Sequence, residues 1–335
     1  MTERLHRLRV RARVLADVRR FFEATGSLEV ETPAIVACPG VDAHLDGVPV
    51  ELRPGGRGSD PIRRALVTSP ELHMKRLLCE GVGSIHQIGK AWRDGEVGDL
   101  HEPEFTMLEW YRVDADADEL MDDTERLVRE LAAEHAGAVL RFRGREAPTA
   151  GPFRRVTFAE AFDEHAGIDP FEDDERRMGR MLRAAGVRPP RTATRDEMLD
   201  LLLGAVVAPK LGVGVPVFVT DWPKGRASLA RVVPGPDGDR AARFELFACG
   251  VELCNGYWEL TDPDEHRARF AAENAAREAA GAAPSPADDE LLAALDAAGG
   301  LPPCSGNALG LDRLLMLLLD AESIREVRTF PCPVR

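Results

Sequence analysis

Between Trp92 and Arg112 the chain reads WRDGEVGDLHEPEFTMLEWYR, a polar, turn-rich stretch that runs directly into an alternating segment. Phe105, Met107 and Trp110 interleave with Glu104, Thr106, Glu109 and Tyr111, the signature of a strand with two unlike faces. Such a strand presents a row of side chains to a ligand. The elements on either side restrict the fold further.

The N-terminal stretch spaces Leu8, Val14, Leu15, Val18, Phe21 and Phe22 for an amphipathic helix, with Gly26 as its stop. Leu28 to Val30 reads as a short strand closed by Pro33. Ser69 and Pro70 suit the N-cap and N1 positions of a helix through Leu72, Lys75, Arg76 and Leu77, and Ile85 to Ile88 is a strand candidate. A helix is expected from Asp116 to His135, ended by Gly137. Helical pieces follow at Met178 to Leu182 and Met198 to Val207, with a strand at Val215 to Thr220. Arg243 to Leu260 is strand-rich, and helices follow at Asp264 to Ala280, from Asp289 and at Leu314 to Leu319. The order helix, strands, inserted segment, strands, helix predicts an α+β domain with an antiparallel sheet rather than a doubly wound one.

The chain has 43 basic and 57 acidic residues and a net charge of −14, which opposes general binding to phosphate backbones. Its six cysteines lie far apart without a CxxC pair, as expected of reduced thiols in a cytoplasm. The basic N-terminus lacks the apolar core of a secretory signal, and the longest apolar runs are too short for a membrane span. Neither GxxxxGK[ST] nor a strand-linked GxGxxG is present, so a bound nucleotide needs another kind of site. HEPEF at 101–105 is not the zinc motif HExxH, because Phe105 stands where the second histidine belongs.

The segment from Trp92 to Arg112, together with GNALGLDR at Gly306 to Arg313, resembles motifs 2 and 3 of the class II aminoacyl-tRNA synthetases. The resemblance implies one class II catalytic domain over residues 1–335, an antiparallel sheet flanked by helices, with 113–240 an inserted segment. Arg93 and Arg313 match the family's catalytic arginines. Arg93 would hold the α-phosphate and the substrate carboxylate, a task suited to a planar guanidinium fork. His101 resembles the residue that meets the outer phosphates of ATP, and Phe105 the aromatic under the adenine, with Arg313 over the other face. Gly306 and Gly310 would let the backbone approach the nucleotide. Glu245 and Glu252 resemble the family's two glutamates for Mg2+, the ion that accompanies a triphosphate into an acidic protein.

The remaining matches narrow the resemblance to the lysine-specific branch. Ser69 and Glu71 in TSPE, Glu109 and Tyr111 in MLEWYR, and Asn255, Tyr257 and Glu259 in NGYWEL stand where that branch holds its substrate. A desolvated ammonium group needs a carboxylate and saturated hydrogen bonds. The catalytic pattern begins within the first helix, so an anticodon-binding domain, and with it tRNA anticodon binding, is not expected. The whole chain is similar to the truncated paralogues that attach a lysyl group to a lysine of elongation factor P. Ala308 stands where those transferases carry alanine, which they associate with (R)-β-lysine rather than α-lysine, and lysyl-tRNA synthetases carry glycine. The resemblance further implies a cytoplasmic homodimer joined through motif 1, here Ala16 to Pro33. Other readings of the same residues are a ligase loading another carrier or amine, or a non-catalytic regulator binding lysine or nucleotide. The chain departs from the pattern at Gly95, in place of an adenine-reading glutamate with Glu96 beside it, at Asp99 and Leu100, where a basic residue is usual, and at Trp258.

Overall fold

The first helix forms where its apolar spacing puts it. In the computed structural model, which describes residues 2–171, 174–190, 193–235 and 238–333, α1 (Glu3–Ala24) is capped by the Thr2 hydroxyl and buries Val10, Val14, Val18, Phe21 and Phe22. It ends beside Gly26, whose φ of +74° glycine adopts without strain. Each fully buried valine or phenylalanine on this face contributes about 1.5–3 kcal/mol.

The central sheet has eight strands: β1 (Leu28–Glu29), β2 (Ile85–Trp92), β3 (Glu104–Val113), β4 (Arg154–Thr157), β5 (Val217–Thr220), β6 (Arg243–Ala248), β7 (Val251–Trp258) and β8 (Cys304–Gly310). Their order is β1-β2-β3-β8-β7-β6-β5-β4. Every pair from β2 to β5 is antiparallel, as expected, while β1 and β4 join the two edges in parallel. Alternation then sorts the side chains. Leu108 and Trp110 of β3, Leu309 of β8 and Phe244 and Leu246 of β6 enter a core with α1, α3 (Ala117–Ala136) and α9 (Leu311–Leu318). Phe105, Met107, Glu109 and Tyr111 take the opposite face.

That opposite face is closed at one end by α2 (Glu71–Cys79), α7 (Pro263–Ala279) and α8 (Asp289–Ala298), which pack Leu72, Leu78, Phe270, Leu291 and Leu295 around Tyr111. Residues after α3 build a second cluster from α4 (Phe158–Ala166), α5 (Glu175–Ala184) and α6 (Arg195–Leu202) against Val156, Val217 and Val219 of the sheet edge. The last helix is α10 (Ile324–Val327).

Several boundaries differ from those the sequence suggests. The helical stretch read at Met198–Val207 is α6 from Arg195 to Leu202 followed by a wider π-type turn over Leu203–Val207. Pro70 rather than Ser69 is the cap residue of α2, although the Ser69 hydroxyl still accepts the Glu71 amide at 3.2 Å. Arg313 lies inside α9, which begins at Leu311. Among the described residues no helix is long and apolar enough to cross a membrane.

Candidate active site

Two adjoining hollows open on the polar face of the sheet. The inner one, about 120 Å³, is lined by Ser69, Glu71, Glu109, Tyr111, Asn255, Tyr257, Glu259 and Ala308. The outer one, about 270 Å³, is lined by His101, Phe105, Glu245, Glu252, Gly310 and Arg313. Asp42, Leu45, Arg93, Met107, Asn255 and Ala308 line both. Every residue that the sequence nominates therefore borders one cleft. A larger hollow of about 550 Å³ between α1 and α3 holds none of them.

The inner half is a closed network of charge. Ser69 Oγ donates to Glu109 Oε2 at 2.6 Å and the Tyr111 hydroxyl to Glu109 Oε1 at 2.8 Å. Burial, reinforced by nearby Glu71, still pushes the Glu109 carboxyl up to about 8. Lys75 reaches Glu71 Oε1 at 2.6 Å and Glu259 Oε2 at 2.7 Å, with its side chain and that of Glu259 sealed from solvent. Burial opposes the Lys75 ammonium, but the two carboxylates outweigh it and hold the group protonated. Asn255 Nδ2 donates to the Tyr257 hydroxyl at 3.0 Å. Arg243 donates to Asn255 Oδ1 at 3.0 Å and to Glu245 Oε1 at 2.5 Å, beneath the Trp222 and Tyr257 rings.

Strand register explains the placement. Ala308 lies between Asn255 and Glu109 in the sheet, so its methyl group sits where the two hollows meet. Gly306 lies between Tyr257 and Tyr111. A Cβ there would come within 2.3 Å of Tyr111 Cε1 and 2.5 Å of Glu259 Oε1, so this glycine makes room for the pocket's own side chains. The close approach to a nucleotide expected of Gly306 is not its evident purpose. At Gly310 a Cβ would meet only Arg313, at 3.6 Å.

In the outer half the Arg93 guanidinium lies 5.1 Å from the centre of the Phe105 ring, and its Nε is shielded from solvent without a hydrogen-bond partner among the described residues. Arg313 instead contacts His101 Nε2 at 2.6 Å, the Glu252 carbonyl at 3.0 Å and its carboxylate at 3.4 Å. Burial first, and Arg313 second, hold the His101 imidazole below its ordinary value. Gly95 takes a φ of +77°, a turn that a glutamate would strain, and Glu96 reaches into the outer hollow 3.7 Å from Arg93. Asp99 pairs away from the cleft with Arg143 at 2.8 Å, and Leu100 offers its carbonyl to Arg313. Trp258 lies under Arg231 and lines neither hollow.

A family model for class II tRNA synthetases (D, K and N) matches residues 2–333. The chain belongs to the class II tRNA synthetase family. Within that family it is similar to elongation factor P–(R)-β-lysine ligase of Vibrio cholerae serotype O1, 41% identical over 99% of this chain and 97% of the relative. The protein of the same name from Vibrio parahaemolyticus is 40% identical over 99% of this chain and 98% of its own length. A third, from Yersinia enterocolitica, is 41% identical over 96% and 93%. The fold expected of the resemblance is thus the fold found.

Two members of this class II site escape a reading of the sequence. Lys75 stands one helical turn after Glu71, an i, i+4 pair visible in ELHMK, but its contact with Glu259 joins distant parts of the chain. Arg243 stands two residues before Glu245 on one strand face, a spacing that was open to inspection.

Proposed function

We propose that the chain is an ATP-dependent ligase that activates lysine or (R)-β-lysine as an aminoacyl adenylate and transfers it to a lysine side chain of elongation factor P. The observation that carries this reading is the charge balance of the inner hollow. With Glu71, Glu109 and Glu259 ionised and Lys75 protonated, two negative charges remain. Two ammonium groups on one substrate match them, and a substrate with fewer would leave a buried carboxylate unpaired. The substrate carboxylate then points toward Arg93 at the junction of the hollows, and the names of the similar proteins agree with such a substrate.

The carboxylate oxygen attacks the α-phosphorus of ATP, pyrophosphate leaves, and an ε-amine displaces AMP from the adenylate. Arg93, with its unpartnered Nε, supplies donors for the charge growing on phosphorus. Positioning in the cleft contributes much of the rest. Phe105 and Arg313 border the place for adenine, and His101 that for the outer phosphates. Glu245 and Glu252 fit Mg2+: burial, opposed by Arg243 and reinforced by Glu252, raises the Glu245 carboxyl above its usual range, and Glu252 is partly exposed beside it. Two such oxygen donors suit an ion that also takes phosphate oxygens and offsets their charge. We further assign a homodimer through α1 and β1, where Leu28 is 54% exposed.

Pyrophosphate exchange into ATP, run with α-lysine and with (R)-β-lysine, followed by the mass of elongation factor P, tests the reading. Exchange with one of the two and a lysyl mass increment are expected. No exchange with either would refute it.

A further inference from the structure

Carboxylates in the cleft each have a cation or hydroxyl partner among the described residues, with one exception. Glu71 and Glu259 share Lys75, Glu245 has Arg243, Glu252 has Arg313, and Glu109 takes two hydroxyl donors. Asp42 is exposed, pairs with no cation among the described residues, and accepts at Oδ1 from the His44 amide at 2.7 Å. It is also the carboxylate that lines both hollows, at the junction where an acyl phosphate linkage must lie.

The loop carrying Asp42 is fixed from behind. Buried Arg277 of α7 donates to the carbonyls of Asp42 and Leu45 at 3.3 and 3.1 Å and to the Asp46 carboxylate at 2.6 Å. Glu273 accepts the Ala43 amide at 2.9 Å, and the Asp46 carbonyl accepts the Asp94 amide at 2.7 Å, next to Arg93. A carboxylate so held, at the mouth and outside the internal charge balance, is placed for a third ammonium group. The donor substrate has two, which the inner hollow already matches; the third belongs to the acceptor.

We propose that Asp42 receives the ε-ammonium of the acceptor lysine and takes the proton its nitrogen sheds during transfer. This rests on the ligase reading above. The ammonium first loses one proton to water, leaving the amine free to attack. As the nitrogen bonds to the carbonyl carbon, its remaining excess proton passes to an Asp42 carboxylate oxygen. The bond from carbonyl carbon to phosphate oxygen breaks, AMP leaves with the electron pair, and Asp42 returns the proton to solvent. Nitrogen becomes strongly acidic as it bonds to carbon, so a carboxylate is a competent acceptor.

The test uses Asp42→Asn and Asp42→Glu in the full chain, with the adenylate formed first from ATP and the amino acid. Transfer to intact elongation factor P is read beside pyrophosphate exchange, which reports formation of the adenylate alone. Asp42→Asn is expected to slow transfer to the protein by roughly a hundredfold or more, with part of the rate restored in Asp42→Glu, while pyrophosphate exchange falls far less. Unchanged protein transfer in Asp42→Asn overturns the proposal. So does a loss of pyrophosphate exchange equal to the loss of transfer, since Asp42 would then serve activation. Absence of exchange in the unsubstituted enzyme refutes the ligase reading itself and is recognisable as that.

Discussion

At the inner end of the cleft Lys75 and Glu259 are 0% and 1% exposed and neutralise each other, whereas at the outer end Arg93 and Glu96 are 25% and 27% exposed and meet only at 3.7 Å, and Glu252, 41% exposed, meets Arg313 at 3.4 Å. The inner network is finished before a ligand arrives; its carboxylates keep their geometry because an internal ammonium and two hydroxyls fix them. The outer contacts are exchangeable. Arg93 over Phe105 and Arg313 on His101 occupy surfaces that a purine and its phosphates would share, so loading the outer half means trading partners. Rigid recognition at one end and adaptable recognition at the other suit a small substrate that must be discriminated and a large one that must be gripped and released.

The sharpest way to break this contrast is Lys75→Met. Buried Glu259 and partly exposed Glu71 lose their counter-charge, and removing one member of a buried pair costs about 3–5 kcal/mol. A clear drop in melting temperature is expected, together with loss of lysine-dependent exchange. An unchanged melting curve would mean that the inner network is not preset. Arg93→Ala, at the outer end, should leave the melting temperature within a few degrees yet reduce exchange roughly a hundred- to thousandfold. Near-normal exchange in that variant would remove Arg93 from the activation step.

The smallest effect concerns protons. With its carboxyl at about 8, Glu109 is mainly protonated at pH 7, and an arriving ammonium favours its ionised form. Binding of lysine alone should therefore release a proton near neutrality and strengthen as pH rises toward about 8. Above that range the release fades, because Glu109 is already ionised. Calorimetry in buffers of differing ionisation enthalpy measures it, and no release at pH 7 would contradict the assignment of Glu109 to the ammonium pocket.

Much of this arrangement was legible in the chain. The alternation from Phe105 to Tyr111 put Phe105, Met107, Glu109 and Tyr111 on one face, and the structure turns that face to the cleft. The caps at Asp116 and Gly137 bounded α3 as expected. What stayed hidden depends on meetings between distant segments. Lys75 looked like one more basic residue on a helix, since nothing local announces Glu259 beside it. Asp42 lies on a loop without periodicity, and Arg277 and Glu273, far along the chain, help fix its place. Around 154–220, short strands join the sheet edge in parallel through intervening helices, which leaves little pattern for any single stretch to display.

The contact between Lys75 and its two carboxylates has a bearing on how such a pocket changes over generations. Folding already requires that an ammonium fit between Glu71 and Glu259, so a variant that discards either acid to admit another amino acid also removes one of the two partners of an ammonium sealed inside its own fold. Stability and selectivity are inherited through the same atoms. Drift toward a different substrate is checked at the moment the chain folds, before any substrate is met.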